Sequence, residues 1–177
     1  MHETRVSSQQ VFQGKIVGVR VDQVELDGGR PGRREVVTHP GAVAIVATPD
    51  PGHVWLVQQY RYPVGRTLWE LPAGTMEPGE PPAVTATREL DEEVNAAAGQ
   101  MTLLLSVYPS PGFCDEIIHI YHAGALGPGS GRGGDEDERI RARLFSLDEA
   151  LKLIQDGEIA DAKTVAGLYA YARARQG

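Results

Sequence analysis

Apolar residues alternate with other residues near the start of the chain. The alternation is clear over 17–21, and residues 27–29 form a turn signal before a second arm over 34–38. A period of two is typical of β-strands, and glycines between two such runs are typical of a hairpin. We therefore predict antiparallel strands in the first forty residues. Their apolar side is short, so we expect it to pack against another surface.

A helical period replaces this alternation over 83–97. At about 100° per residue, one set of apolar positions falls within roughly 80° and predicts a core-facing stripe. The stripe consists of Ala83, Ala86, Leu90, Val94 and Ala97. A neighbouring arc carries Glu89, Glu92 and Glu93, and like charges one turn apart destabilise a helix by ~0.2–0.5 kcal/mol per pair. We expect Arg88 to neutralise only one of these carboxylates. A bound Mg²⁺ or Mn²⁺ would make the cluster tolerable, and the alternative is a solvated acidic face.

The remaining apolar runs predict further strands and two helices. Strands are expected over 42–47, 54–59, 68–74, 103–107, 117–122 and 141–145. Ser146 and Glu149 form a capping box that predicts a helix through Ile154. Another helix is expected over about 162–173, and the glycine-rich stretch 127–134 is typical of a loop. Strands on both sides of the acidic helix, with helices at the end, favour an α/β sandwich.

Composition limits the possible functions. A length of 177 residues suits one catalytic domain with a modest extension, and a hydrophobic content of 41% is too high for a disordered chain. No apolar run reaches membrane-spanning length, and the first residues show no secretory signal. The single Cys114 fits a reducing compartment, and a net charge of −7 argues against broad nucleic-acid binding. We expect a cytoplasmic protein with neither a membrane nor a nucleic-acid partner.

The stretch from Gly74 to Ala96 resembles the Nudix box, G-x5-E-x7-R-E-U-x-E-E-x-G-U, in which U is aliphatic. It reads GTMEPGEPPAVTATRELDEEVNA, so the first glycine, the arginine and all four glutamates match. Asn95 replaces the second glycine, and Ala96 is a weak match to the last aliphatic residue. That glycine lies where the helix ends, a position that often needs a positive φ, and asparagine is the next best residue there. The departure does not affect a metal ligand.

The resemblance implies a fold and a chemistry. The fold is a Nudix-type α/β/α sandwich with a mixed sheet, here with an N-terminal antiparallel strand segment, and the chemistry is Mg²⁺-dependent hydrolysis of a diphosphate linkage, with Mn²⁺ as a possible substitute. Glu89 and Glu93 would be the main metal ligands, with Glu92 close by and the backbone carbonyl of Ala73 completing the shell. Arg88 would orient a glutamate through a charge-assisted hydrogen bond.

A second segment resembles the ADP-ribose pyrophosphatase branch of the family. Pro111 lies fifteen residues beyond Ala96, inside the sequence Pro-Gly-Phe-x-Asp-Glu. In that branch this loop helps to shape the sugar pocket, so Pro111 and Phe113 would line it and Glu116 would lie nearest the sugar. The alternative is a rigid turn between strands.

Two further stretches match the same branch. Arg61, in a Gln-x-x-Arg segment, would bind the diphosphate, and Glu70 precedes the box loop in a matching position. The acidic stretch 135–138 matches a loop whose glutamates bind metal or act as base. Alignment on Ile140 makes Glu136 the candidate base and Glu138 a candidate metal ligand. The alternatives are a solvated acidic loop and a base at Glu92 or Glu116.

These inferences combine into one hypothesis. Residues 1–40 are expected to form a β segment for dimerisation, and residues 41–177 the Nudix hydrolase domain. In relatives of this branch the N-terminal strands exchange across a two-fold dimer, which implies a homodimer here. The best candidate substrate is ADP-ribose, hydrolysed to AMP and ribose 5-phosphate. The alternatives are GDP-mannose, another ADP-sugar, or a non-catalytic Nudix domain that senses nucleotides.

Overall fold

The computed structural model describes residues 2–131 and 140–175. The chain divides into two compact units. The N-terminal unit contains Met1–Gly41 and Tyr108–Ile117, and the sandwich unit contains Ala42–Val107 and Ile118–Gly177. No helix of the described segments is long and apolar enough to cross a membrane.

The N-terminal unit is built on a three-stranded antiparallel sheet in the order β1-β2-β3. Its strands are β1 (Glu3–Gln13), β2 (Gly18–Leu26) and β3 (Arg30–Thr38). The predicted hairpin is confirmed, and Gly28 and Gly29 in its turn adopt φ values of 85° and 75°, which favour glycine. Every residue of β1 is exposed. Val24 is the single fully buried hydrophobic side chain among the described residues of this unit.

The sandwich unit contains two sheets. Its strands are β4 (Ala42–Ala47), β5 (His53–Arg61), β6 (Arg66–Glu70), β7 (Ala73–Thr75), β8 (Ala96–Val107), β9 (Ile118–Pro128) and β10 (Arg141–Ser146). The larger sheet has the order β7-β4-β9-β8, and the smaller has the order β10-β5-β6. Strands β4 and β9 are parallel and the other pairs antiparallel, so the predicted mixed sheet is confirmed.

The described part of this unit also contains three α-helices and a short 3₁₀ helix, Tyr62–Val64. The α-helices are α1 (Pro82–Val94), α2 (Leu147–Gln155) and α3 (Ala162–Ala174). The capping box of α2 is confirmed, because Ser146 Oγ accepts a hydrogen bond from the Glu149 amide at 3.1 Å. Asp161 caps α3 in the same way, accepting from the Thr164 amide at 3.0 Å.

Alternating side chains of β4 divide the core into two layers. Val43, Ile45 and Ala47 pack in one hydrophobic cluster with Ala86 and Leu90 of α1. The residues between them pack in a second cluster with α3, which includes Ala44, Val46, Leu168 and Tyr171. Successive side chains of a strand point to opposite faces of the sheet. Helices α1 and α3 therefore cover opposite faces, which confirms the α/β/α sandwich.

The structure corrects three details of the sequence analysis. Ala86 and Leu90 of the predicted stripe are buried, but Ala83 is exposed, and Ala97 lies in β8 rather than in the helix. Strands β8 and β9 also extend well beyond the predicted 103–107 and 117–122, because they pair with each other as far as Ala96 and Pro128. The start of the predicted loop 127–134 therefore belongs to a strand.

Candidate active site

Arg88 lies at the centre of the carboxylates of α1. Its Nη1 donates hydrogen bonds to Glu89 Oε1 at 2.6 Å and to Glu92 Oε2 at 3.1 Å. Its Nη2 donates to Glu80 Oε2 at 3.2 Å and to the Thr75 carbonyl at 3.5 Å. Arg88 therefore contacts more carboxylates than its single positive charge can neutralise. A planar guanidinium has five donor hydrogens, and here they reach three of the four box glutamates.

Glu80 reaches Arg88 because the loop before α1 turns back on itself. Its Oε2 accepts from Thr85 Oγ1 at 2.8 Å and from the Glu77 amide at 3.2 Å. The hydrogen bond from Arg88 is the main cause that lowers the pKa of Glu80 to about 2. Burial opposes the charge of Arg88, but hydrogen bonds to Glu80 and Glu89 and the negative charge of Glu89 outweigh it and raise the pKa of Arg88. The two groups hold each other in the charged state.

Strand β7 approaches α1 so closely that a side chain on its central residue would meet the carboxylate of Glu89. A Cβ atom placed on Gly74 would lie 1.9 Å from Glu89 Oε1, inside the contact distance of any two atoms. One residue earlier, the amide of Ala73 donates to Glu93 Oε2 at 3.0 Å. A side chain in place of the first glycine of the box would therefore have to displace the Glu89 carboxylate. The predicted ligands Ala73, Glu89 and Glu93 lie together at the junction of β7 and α1.

The donor chemistry at this junction fits a hard divalent cation. Glu89, Glu92 and Glu93 offer carboxylate oxygens, the ligands that Mg²⁺ and Mn²⁺ prefer. In the described segments, 2–131 and 140–175, no three His, Cys, Asp or Glu side chains are already arranged around a common point for a metal ion. Glu89 and Glu92 instead contact Arg88. Arg88 contacts one oxygen of each, so an incoming cation would share these two carboxylates with Arg88.

Arg61 and Glu70 form a second polar group, on the paired strands β5 and β6. Arg61 donates from Nε to Glu70 Oε1 and from Nη2 to Glu70 Oε2, both at 2.8 Å. Burial acts against the charge of Glu70, but the hydrogen bonds from Arg61 and the positive charge of Lys163 outweigh it and lower its pKa. Arg61 is therefore oriented by a carboxylate rather than free at the surface.

Sequence analysis missed the third member of this group. Lys163, in the first turn of α3, contacts Glu70 Oε2 and lies 3.0 Å from Asp161 Oδ2. It is 9% exposed, which is rare for lysine unless it is paired. The available signal was weak, because the sequence marks this lysine only by its position two residues after the helix cap Asp161.

The segment predicted to shape the sugar pocket lies in the N-terminal unit. The Val37 amide donates to the Phe113 carbonyl at 2.8 Å, and the Asp115 amide donates to the Val37 carbonyl at 3.1 Å, so this segment is bound to β3. Pro111 and Phe113 line a cavity of about 460 Å³. The other lining residues are Glu3, Arg34, Glu35, Val36, Tyr108, Gly112, Cys114 and Asp115. Glu116 lies 3.6 Å from the His39 ring and does not line this cavity.

Glu136 and Glu138 lie outside the described residues, but the chain leading to them is anchored on α1. The Ser130 amide donates to Asp91 Oδ1 at 2.7 Å, and the Gly131 amide donates to Asn95 Oδ1 at 2.9 Å. Asn95 ends α1 with φ 53° and ψ 47°, as expected for a residue in the second glycine position. The Asn95 side chain also accepts the hydrogen bond from the Gly131 amide, a contact that a glycine in this position could not make. This contact was not predicted from the sequence.

Comparison with known proteins shows similarity along nearly the whole chain. Residues 38–168 match the NUDIX domain, and residues 3–37 match the nucleoside diphosphate sugar hydrolase N-terminal domain. The chain is 43% identical to the ADP-ribose pyrophosphatase of Bacillus subtilis (strain 168), over 93% of this chain and 89% of that protein. It is 45% identical to the methanol dehydrogenase activator of Bacillus methanolicus, over 92% and 89%. The crystal structure of an ADP compounds hydrolase matches with a TM-score of 0.87 at 25% identity, over 100% of this chain and 96% of that one.

Proposed function

This chain belongs to the Nudix hydrolase family, and on that basis we propose that ADP-ribose is its preferred substrate. It hydrolyses the pyrophosphate bond of nucleoside diphosphate sugars, the activity supported by both matched domains and by its relatives. The observation that carries the proposal is the intact set of box glutamates. Arg88 contacts three of them, and the fourth, Glu93, is bound to the Ala73 amide. The preference for ADP-ribose is supported by the Bacillus subtilis relative.

Nudix hydrolases generally need a divalent metal, and we propose Mg²⁺ here, with Mn²⁺ as a substitute. Glu89, Glu93, the carbonyl of Ala73 and Glu138 are the proposed ligands. When bound, the cation neutralises phosphate oxygens and lowers the pKa of a coordinated water. The proposal is supported by the position of Ala73, Glu89 and Glu93 at one junction.

The remaining proposed roles fall to side chains of this chain itself. Arg88 keeps Glu80 ionised and reduces the mutual repulsion of the carboxylates that it contacts, and Glu92 remains close enough to share its hydrogen bonds. Glu136 takes the proton from the attacking water as general base. Water adds to one phosphorus, and the bridging P–O bond breaks to leave AMP and ribose 5-phosphate. Arg61 binds the diphosphate beside Glu70, while Pro111, Phe113 and Glu116 shape the sugar site.

The β segment of residues 1–40, for which we propose a role in assembly, is the basis for a homodimer. Strand β1 exposes Val6, Val11 and Phe12 by half or more of their surfaces. A three-stranded sheet needs a hydrophobic face covered by another surface for stability, and a second copy can supply that surface by two-fold symmetry.

A panel of substrates tests the proposed function. Purified protein with Mg²⁺ is assayed on ADP-ribose, GDP-mannose and other ADP-sugars, with products separated by chromatography and EDTA as the metal-free control. We expect kcat/KM for ADP-ribose to be at least tenfold above the others, with AMP and ribose 5-phosphate as the products. A higher kcat/KM for GDP-mannose would identify GDP-mannose, and not ADP-ribose, as the preferred substrate. Tight binding without turnover of any compound would instead indicate a nucleotide sensor.

A further inference from the structure

We propose that Lys163 is a positioning residue, which fixes Arg61 for the substrate diphosphate by holding the buried carboxylate of Glu70 between them. This inference rests on the proposed function, because it takes Arg61 as a diphosphate ligand. It adds Lys163, a residue of α3 that lies 93 positions after Glu70 in the chain, to the residues that determine how the diphosphate binds.

Glu70 determines which edge of Arg61 is available. Its two oxygens accept from the Nε and Nη2 atoms of Arg61, both at 2.8 Å. This bidentate contact occupies one edge of the planar guanidinium and fixes the plane in which it lies. The edge at Nη1 makes no hydrogen bond with any part of the chain that the structure describes. The Arg61 side chain is 40% exposed, so this edge can meet a phosphate oxygen.

Glu70 can perform this task only if its own position is fixed. It is 1% exposed, and a buried carboxylate is costly unless it is paired and hydrogen-bonded. A phosphate group competes with Glu70 for the positive charge of Arg61. Lys163, in contact with Glu70 Oε2, supplies a second cation that stays with Glu70 when Arg61 binds phosphate.

The position of Lys163 is fixed independently of the substrate. Its Nζ lies 3.0 Å from Asp161 Oδ2, and Asp161 also accepts from Thr164 Oγ1 at 2.6 Å. Thr164 Oγ1 in turn accepts from the Leu71 amide at 2.8 Å, and Leu71 directly follows Glu70 in the chain. The start of α3 is therefore bound to the backbone that carries Glu70.

The surroundings of Lys163 indicate that it acts through Glu70 and not by touching the substrate. Its side chain is 10% exposed, and its ammonium group lies between two carboxylates. An ammonium group has three donor hydrogens in all, and two are directed to these carboxylates. Arg61, by contrast, keeps an exposed edge.

A double-mutant cycle tests this inference. Lys163→Met, Glu70→Gln and the double variant are compared with wild type for kcat/KM on ADP-ribose, and Lys152→Met, at an exposed lysine of α2, is the matched control. We expect Lys163→Met to lower kcat/KM about tenfold in the wild-type background, mainly by raising KM, and less than twofold in the Glu70→Gln background. Lys152→Met should match wild type.

Two results would overturn the proposal. An equal loss in both backgrounds would mean that Lys163 contacts the substrate directly. A lower melting temperature with unchanged kcat/KM would mean a purely structural ion pair. If Lys163→Met alone fails to fold, Glu70→Gln and the double variant still decide, because neither contains an unpaired buried carboxylate at position 70. Equal kcat/KM values for Glu70→Gln and the double variant support the proposal, and a tenfold difference between these two values overturns it.

Failure of the proposed function is detected separately, in wild type. A wild-type protein that hydrolyses none of the nucleoside diphosphate sugars would remove that function. The same cycle is then measured as the Kd of inorganic pyrophosphate by calorimetry, which requires no turnover. Non-additive losses in Kd would support the link from Lys163 to Arg61, and additive losses or none would overturn it.

Discussion

Strands β4 and β1 differ most clearly in what covers them. Residues 43–47 of β4 are completely buried, with α1 on one face and α3 on the other. All eleven residues of β1 are exposed. The difference shows that the sandwich unit has its own core, and that three of the four box glutamates lie on a helix packed against this core. The N-terminal unit has almost no core among its described residues, and this is why we propose that a second copy of the chain covers it.

If the chemistry belongs to the sandwich unit, the most damaging change should lie on α1. We predict that Glu93→Gln lowers kcat by roughly two orders of magnitude or more, because a neutral amide is a poor ligand for a hard cation. The fold should remain intact, since the amide oxygen can still accept from the Ala73 amide. Steady-state kinetics and circular dichroism measure both effects. Glu158→Gln, at an exposed glutamate of the same unit, is the control. Near wild-type turnover in folded Glu93→Gln would remove Glu93 from the metal shell.

Close packing between β7 and α1 allows a second test of the sandwich unit. We predict that Gly74→Ala lowers kcat at least tenfold and destabilises the protein by about 1–3 kcal/mol, because the added methyl would overlap Glu89. Urea unfolding measures the free energy of unfolding, and steady-state kinetics measure kcat. Gly127→Ala is the matched control, because a Cβ there meets no atom within 4 Å. An unchanged kcat in Gly74→Ala would show that Glu89 can move without loss of function.

A charged residue on β1 tests whether a second copy of the chain covers the N-terminal unit. We predict that Val11→Asp raises the dimer dissociation constant at least tenfold, because a buried unpaired carboxylate at an interface is costly. Light scattering over a concentration series measures this change. Val84→Asp is the control, since Val84 lies on α1 and both valines are 53% exposed. An active, stable wild-type monomer at micromolar concentration would contradict the proposed dimer.

The mildest test concerns the ion pair between Arg88 and Glu80. The pKa of Glu80 is lowered from 4.5 to about 2, so its contribution to stability is fully present above pH 4.5 and is lost as the pH falls through about 2. We therefore predict that Glu80→Gln reduces stability at pH 6 and that its difference from wild type shrinks between pH 4.5 and pH 2. Urea unfolding in EDTA over this range measures the difference. A gap that does not change with pH would show that Glu80 acts without its charge.

Much of the sandwich unit could be predicted because its signals are local. The box has fixed spacing, α1 has a helical period, and the cap at Ser146 needs only four consecutive residues. Arg61 and Glu70 were predicted as site residues, but Lys163 was not, because it reaches Glu70 only through the tertiary fold. Strand β8 was predicted too short because its first half is rich in alanine and glycine, and it is held by pairing with β9 rather than by a strand-like pattern.

The position of β4 also has a consequence for how the protein exchanges its amide hydrogens with solvent. It lies between β7 and β9. Beyond its pairing with β7 the Ile45 amide donates to the Pro72 carbonyl, and beyond its pairing with β9 the Thr48 amide donates to the Ala123 carbonyl. With both faces and both edges covered, its amides can reach water only when the whole sandwich unit opens. Their exchange rate in deuterium would therefore report the global unfolding free energy of that unit, without any denaturant.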